Sequence, residues 1–312
     1  MTLAKIIEFL MIERNQLFKQ RYIMSLRSVF TFLLATSCTF SLDLAKAQDN
    51  FNATYEIRAE ESSESQLPER YEDVEGMEGM ELLKALHRKT GIGYKEHGYS
   101  ESKQFMYDVV DNRNGKVFTL YSGSWANGKK GGTYKESGDA NEDGHRSDFV
   151  NCEHTWPQSK FGKRNPMRSD IHHLYPTYSK ANGYRGSNPF GEVSGSLKYS
   201  NSFGSQGTQR IFEPADEVKG NVARAQLYFY VRYHNRSIFQ KGQKRQYWLD
   251  RVKMFMEWNN LDPVDDWERT RNDLIEKYQG NRNPFIDYPG FAEKIGEAAF
   301  LGKERVQASE VN

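Results

Sequence analysis

The chain has 312 residues, with 43 Lys and Arg against 42 Asp and Glu, a net charge of +1 and two cysteines. That length supports a large buried core, and so few cysteines exclude a small scaffold held together by disulfides. A net charge near zero points to no particular partner, but it conceals an asymmetry along the chain.

The first 47 residues have the layout of a secretory signal. Lys19, Arg21 and Arg27 precede the apolar run Ser28–Leu42, and Ala45-Lys46-Ala47 offers a small-x-small cleavage site before Gln48. The run is too short and too interrupted to span a membrane, so no stable membrane association is expected after cleavage. A buried N-terminal helix is the competing reading. Cleavage after Ala47 leaves Cys152 as the sole cysteine, and hence no intramolecular disulfide. Residues 48–82 carry eleven acidic and two basic side chains, whereas residues 83–312 carry 28 acidic and 35 basic. Residues 48–77 therefore read as an acidic, disordered leader. The body at 78–298, followed by a tail at 299–312, is mildly basic, which suits a polyanion but suits a solvated surface equally well.

Within the body, Leu82, Leu83 and Leu86 give Glu78–Arg88 helical spacing, and Ser102–Val110 reads as a second short helix. Lys116–Tyr121 is a predicted strand, followed by a long polar loop over 122–148. A second loop, rich in Ser and Gly, is expected over 194–212. Three helices then follow. Asp216–Tyr233 places Val218, Val222, Ala225 and Phe229 on one face, and Gln243–Trp258 does the same with Leu249, Val252 and Met256. The third, Val264–Tyr278, has Pro263 suited to its first turn. The aromatic residues Tyr228, Tyr230, Trp248 and Trp258 read as core, and Asn283–Pro289 as an extended apolar segment packed on the body. The fold class is α+β, a helix-rich single domain with a small β element.

The chemistry concentrates in 151–193. Glu153 and His154 are adjacent, so on a strand they face opposite sides. Pro157 ends that strand, and at such an end Glu153 reaches a cation while His154 faces an attacking water. Asp170–Leu174 reads as a second short strand and Tyr178–Asn182 as the start of a helix that carries Asn182. Strand, loop, strand and helix make a ββα unit that brings Asn182 opposite Glu153. One carboxylate, one amide oxygen and water suit Mg²⁺, with Mn²⁺ or Ca²⁺ as alternatives. His172, His173 and Cys152 leave zinc open but lack the spacing of a zinc site.

Three ordered motifs resemble the bacterial endonuclease I family, secreted or periplasmic non-specific nucleases of the His-Me finger (ββα-metal) class. They are Glu153-His154-Thr155-Trp156-Pro157, Asp170-Ile171-His172-His173-Leu174 and Asn182-Gly183-Tyr184-Arg185-Gly186-Ser187-Asn188. The likeness continues through Phe212–Gly220 and Gly280–Asp287, covering roughly residues 80–295. It implies that His154 is the general base and that Glu153 and Asn182 hold one divalent ion. Hydrolysis of DNA or RNA by a monomer to 5′-phosphate and 3′-hydroxyl ends is implied as well. Asp170 and His172 would support the finger through hydrogen bonds. An arginine would stabilise the cleaved phosphate, with Arg164, Arg168 and Arg185 as candidates. Cys152 stands where relatives often carry Arg, and the loop 158–169 is short. Two other readings remain: a catalytically silent nucleic-acid-binding or toxin-like protein on the same fold, and a metallo-phosphodiesterase acting on small esters.

Overall fold

A computed structural model describes residues 67–127, 136–140 and 149–303. The expected signal and most of the acidic leader lie outside the described residues. The folded part begins earlier than expected: Glu69–Val74 form a 3-10 turn whose Tyr71 and Val74 are buried. The Tyr71 hydroxyl donates to Asp287 at 2.7 Å, so the last residues assigned to the leader belong to the folded body.

Helix α1 (Gly79–Lys89) buries Leu82, Leu83 and Leu86, as its spacing predicts. Helix α2 (Tyr99–Phe105) runs on into a π turn at Met106–Val110. Strands β1 (Asn112–Arg113), β2 (Lys116–Thr119) and β3 (Ser124–Asn127) form an antiparallel sheet. The expected loop over 122–148 thus contains a strand: β3 pairs with β2 along its full length, which satisfies its backbone despite a polar sequence.

Strand β4 (Val150–His154) pairs antiparallel with β5 (Leu174–Tyr178), with Glu153 opposite Tyr175 and His154 opposite Leu174. The expected strand at Asp170–Leu174 is not formed. The Asp170 carboxylate accepts from the backbone N–H of His172 at 3.2 Å and caps a 3-10 turn at Ile171–His173, so the strand begins only at Leu174. Helix α3 (Ser179–Arg185) follows at once. The Ser/Gly-rich segment holds three two-residue strands, β6 (Tyr199–Ser200), β7 (Gln206–Gly207) and β8 (Phe212–Glu213).

The main departure is helix α4 (Lys219–Tyr233), which starts after a 3-10 turn at Asp216–Val218. It is no amphipathic surface helix. Every residue along it is buried, and its two arginines are paired: Arg224 binds Glu268 at 2.5 Å and Arg232 lies 3.4 Å from Asp170, while the Gln226 amide finds no hydrogen-bond partner among the described residues. Next comes a π turn at Arg245–Leu249, whose wider path lets both Tyr247 and Trp248 turn inward; it breaks the expected helix before α5 (Val252–Leu261). Asp265 caps α6 (Asp266–Gln279) by accepting from Glu268 N–H at 2.8 Å, which leaves Pro263 outside the first turn. Asn283 likewise caps the turn α7 (Pro284–Asp287), with Pro284 at its start, so the expected extended segment is helical although it does pack inward. Helix α8 (Phe291–Phe300) carries buried Ala299 and Phe300, extending the body past residue 298.

Tyr228, Tyr230, Trp248 and Trp258 are all core. Trp156, just beyond β4, stacks on Phe229 of α4 at 4.7 Å and donates its indole N–H to Ile238 O at 2.9 Å. The β4–β5–α3 unit is therefore bolted to the central helix. Helices and small sheets share the body, an α+β arrangement.

Candidate active site

On β4 the side chains of Asn151 and Glu153 share one face and those of Cys152 and His154 the other, because strand side chains alternate. Helix α3 covers the first face, where Asn182 and Arg185, three residues apart, point the same way. The Asn182 amide N–H₂ donates to Asn151 Oδ1 at 2.8 Å and to Cys152 O at 3.4 Å. That commits the nitrogen to the strand and leaves Oδ1 as the amide's outward acceptor.

Glu153 is buried, with 2% of its surface exposed. Its Oε1 accepts from the Tyr121 hydroxyl at 2.7 Å and lies 2.9 Å from Arg185 Nη1. Both partners fall on Oε1, so Oε2 stands outside that pair. Burial pushes the carboxyl above its ordinary range, and Arg185 and Tyr121 oppose the shift. Arg185 also donates to His154 O at 2.9 Å, to Thr155 O at 2.5 Å and to the Tyr247 hydroxyl at 3.1 Å. It is 1% exposed, an internal clamp rather than a surface cation.

His154 Nε2 lies 3.1 Å from the carbonyl oxygen of Arg168. A carbonyl can only accept, so Nε2 carries the hydrogen and Nδ1 keeps its lone pair. Burial first, and the neighbouring His173 second, hold the imidazole well below its ordinary pKa, which keeps it neutral. Its ring stands 5.5 Å from that of Tyr99, and the Arg168 guanidinium lies 4.2 Å over the same Tyr99 ring. Arg168 Nε is buried without a partner among the described residues. Arg164 is exposed and donates to Ser237 O at 2.9 Å.

Asp170 is a hydrogen-bond hub. It accepts from the hydroxyls of Tyr228 and Tyr233, each at 2.7 Å, and from Gln279 at 2.8 Å. Burial alone would raise its carboxyl, but His172, Arg232 and His173 hold it below the usual range. His172 and His173 pair through Nε2 with Asn281 O at 3.0 Å and Met167 O at 2.6 Å. Burial pushes both imidazoles down to about 4, so they are neutral scaffold groups. Among the described residues no three His, Cys, Asp or Glu side chains gather as a metal cage. A cation here would rest on Glu153, the Asn182 amide oxygen and water, a hard-oxygen set that fits Mg²⁺. Tyr99, Tyr121 and Tyr247 escaped sequence reasoning. Each reaches the site from a distant segment, and no local pattern marks it.

A family model described as Endonuclease I matches residues 79–290. An extracellular ribonuclease of Bacillus subtilis (strain 168) is 35% identical over 237 residues, covering 72% of this chain and 77% of that protein. The extracellular ribonuclease of Bacillus amyloliquefaciens is 33% identical over 238 residues, with the same shares covered. A periplasmic deoxyribonuclease of Aeromonas hydrophila is 34% identical over 134 residues, covering 41% of this chain and 51% of its own. These matches define a nuclease, an enzyme that hydrolyses phosphodiesters. The chain belongs to the endonuclease I family.

Proposed function

We propose that the protein is an exported, monomeric, Mg²⁺-dependent endonuclease that cleaves RNA and DNA with little regard for sequence. The β4–β5–α3 unit serves as its His-Me (ββα-metal) finger. The observation that carries the reading is the bond from His154 Nε2 to Arg168 O, which leaves a neutral Nδ1 as proton acceptor.

In this reading His154 Nδ1 takes the proton of the attacking water. Glu153 and Asn182 would hold the divalent ion, which would supply neutralisation of the charge that develops as the phosphodiester is cleaved. Arg185 and Tyr121 fix the Glu153 carboxylate from behind, so Arg185 is a positioning residue. Arg168, with its unpartnered Nε, is the arginine that meets the phosphate. Cleavage of the P–O3′ bond leaves 5′-phosphate and 3′-hydroxyl ends. Contacts to phosphate carry no sequence information, in keeping with a tolerant enzyme.

Substrate breadth is supported by relatives named both ribonuclease and deoxyribonuclease. Export is supported by the N-terminal signal layout and by relatives named extracellular or periplasmic. No described helix is long and apolar enough to cross a membrane. The test is incubation with supercoiled plasmid and with RNA, in Mg²⁺ or EDTA, followed by analysis of the product ends. Mg²⁺-dependent nicking and RNA degradation to 5′-phosphate ends is expected. EDTA-resistant cleavage, or 3′-phosphate ends, would overturn the mechanism.

A further inference from the structure

A hollow of about 170 Å³ lies on the Tyr247 side of Arg185, lined among others by Lys160, Asn188, Arg210, Gln243, Gln246 and Tyr247. Lys160 follows β4 and Asn188 follows α3, so both arms of the ββα unit supply its wall. It shares Tyr247 with the active site: the hydroxyl lies 3.1 Å from Arg185 Nη2, and Arg185 Nη1 lies 2.9 Å from Glu153.

Among the described residues the lining holds two cations and no carboxylate. Lys160 donates to the Gln243 side-chain oxygen and sits 5.2 Å over the Tyr247 ring. Neither Lys160 nor Arg210 forms an ion pair among the described residues. Burial and the nearby Arg185 charge both lower the Lys160 pKa, so the ammonium lacks the counter-charge that an anion would bring. The amides of Asn188, Gln243 and Gln246 offer neutral donors around it. Pockets that enclose drug-sized ligands measure roughly 300–1,000 Å³, so this smaller hollow suits a phosphate and its sugar rather than a whole cofactor.

We propose that this hollow is a second phosphate-binding site, which takes an uncleaved phosphate of the substrate strand next to the scissile one. It rests on the nuclease reading above. Its role is to hold strand register through the Lys160 and Arg210 charges, while the amides contact the sugar or base edge.

The test uses full-length His154→Ala protein in EDTA, a mixed-sequence single-stranded oligonucleotide, and binding measured by anisotropy over a salt series. On that background Lys160→Met and Arg210→Gln should each lower the slope of log K against log[salt] by about 0.7, the share of one phosphate on a single strand. Lys160→Arg, which keeps the charge, should keep the slope. Lys294→Met, at an exposed position of α8, is the charge-matched control and should also keep it. An unchanged slope in both Lys160→Met and Arg210→Gln overturns the proposal. An equal loss in Lys294→Met overturns it too, by reducing the effect to net charge. Inorganic phosphate that binds the unaltered hollow without displacing the oligonucleotide would make this a free-anion site and reject the strand assignment. Failure of the unmutated enzyme to cleave nucleic acid in Mg²⁺ would instead reject the nuclease reading itself.

Discussion

Arg185 Nη1 lies 2.9 Å from Glu153 Oε1, with both side chains almost wholly out of solvent. The same guanidinium donates to two backbone carbonyls at the end of β4 and to Tyr247. A buried carboxylate left without such a partner is costly, about 3–5 kcal/mol when one member of a buried pair is removed. Arg185→Met should therefore lower stability by that amount, read as a shift of the denaturation midpoint. Arg185→Lys should recover only part of it, because one ammonium cannot serve all these acceptors. A variant as stable as the parent would show that the clamp has no such role.

His154→Ala should reduce cleavage by roughly 10²–10⁴-fold, the range for loss of a positioned general base. Oligonucleotide binding should persist, since phosphate affinity resides in the cations. Single-turnover rates and anisotropy on the same preparation separate the two effects. Retained turnover would remove His154 from the chemistry.

The two candidate arginines of the 158–169 loop should behave differently. Arg168→Ala should lower kcat by about 10²–10³-fold, comparable to losing one preorganised donor to a developing charge. Arg164→Ala, at an exposed residue whose side chain donates to Ser237 O, should change kcat by less than about threefold. The reverse ranking would reassign the phosphate contact.

EDTA should abolish activity and Mg²⁺ restore it. Asn182→Ala should raise the Mg²⁺ concentration for half-activation by roughly tenfold or more, since a hard-oxygen donor is lost. Titration of activity against Mg²⁺ checks this, and an unaltered midpoint would exclude Asn182 as a ligand.

Acid should destabilise the fold through His172 and His173, whose imidazoles are pushed from 6.5 to about 4 by burial. Above pH 6.5 both rings are neutral whether folded or unfolded, and they contribute no pH dependence. Between 6.5 and 4 the unfolded chain takes up protons that the folded chain refuses, so stability falls with pH, by up to about 3 kcal/mol per ring. Melting temperatures between pH 7.5 and 4.5 test this. A flat profile there would mean that the rings are protonated in the native state.

Part of this architecture was legible in the chain. The apolar spacing of α1 and the aromatic residues of α4 and α5 announced themselves through periodicity, because helix faces repeat locally. Strand β3 and the turn at α7 did not. The order of β3 comes from pairing with β2, which polar composition disguises as loop, and that of α7 from an Asn283 cap on a segment that reads as extended. The fully buried α4 reads from its spacing as one-faced, because Arg224 and Arg232 look solvent-seeking without Glu268 and Asp170 beside them.

The family, and the placing of Glu153, His154 and Asn182 in the first and third of three ordered motifs, were legible in the chain alone, since motif order survives without knowledge of partners. The placement of the arginine side chains came from the fold. A guanidinium on a long stem can turn to solvent or to the core, and local spacing does not say which. Arg185 turns inward because Tyr247 and Glu153, itself held by the Tyr121 hydroxyl, meet it from segments far apart in the chain, whereas Arg168 lies over Tyr99 with its carbonyl holding the His154 ring. That convergence depends on long-range packing, and packing is what a linear pattern does not encode.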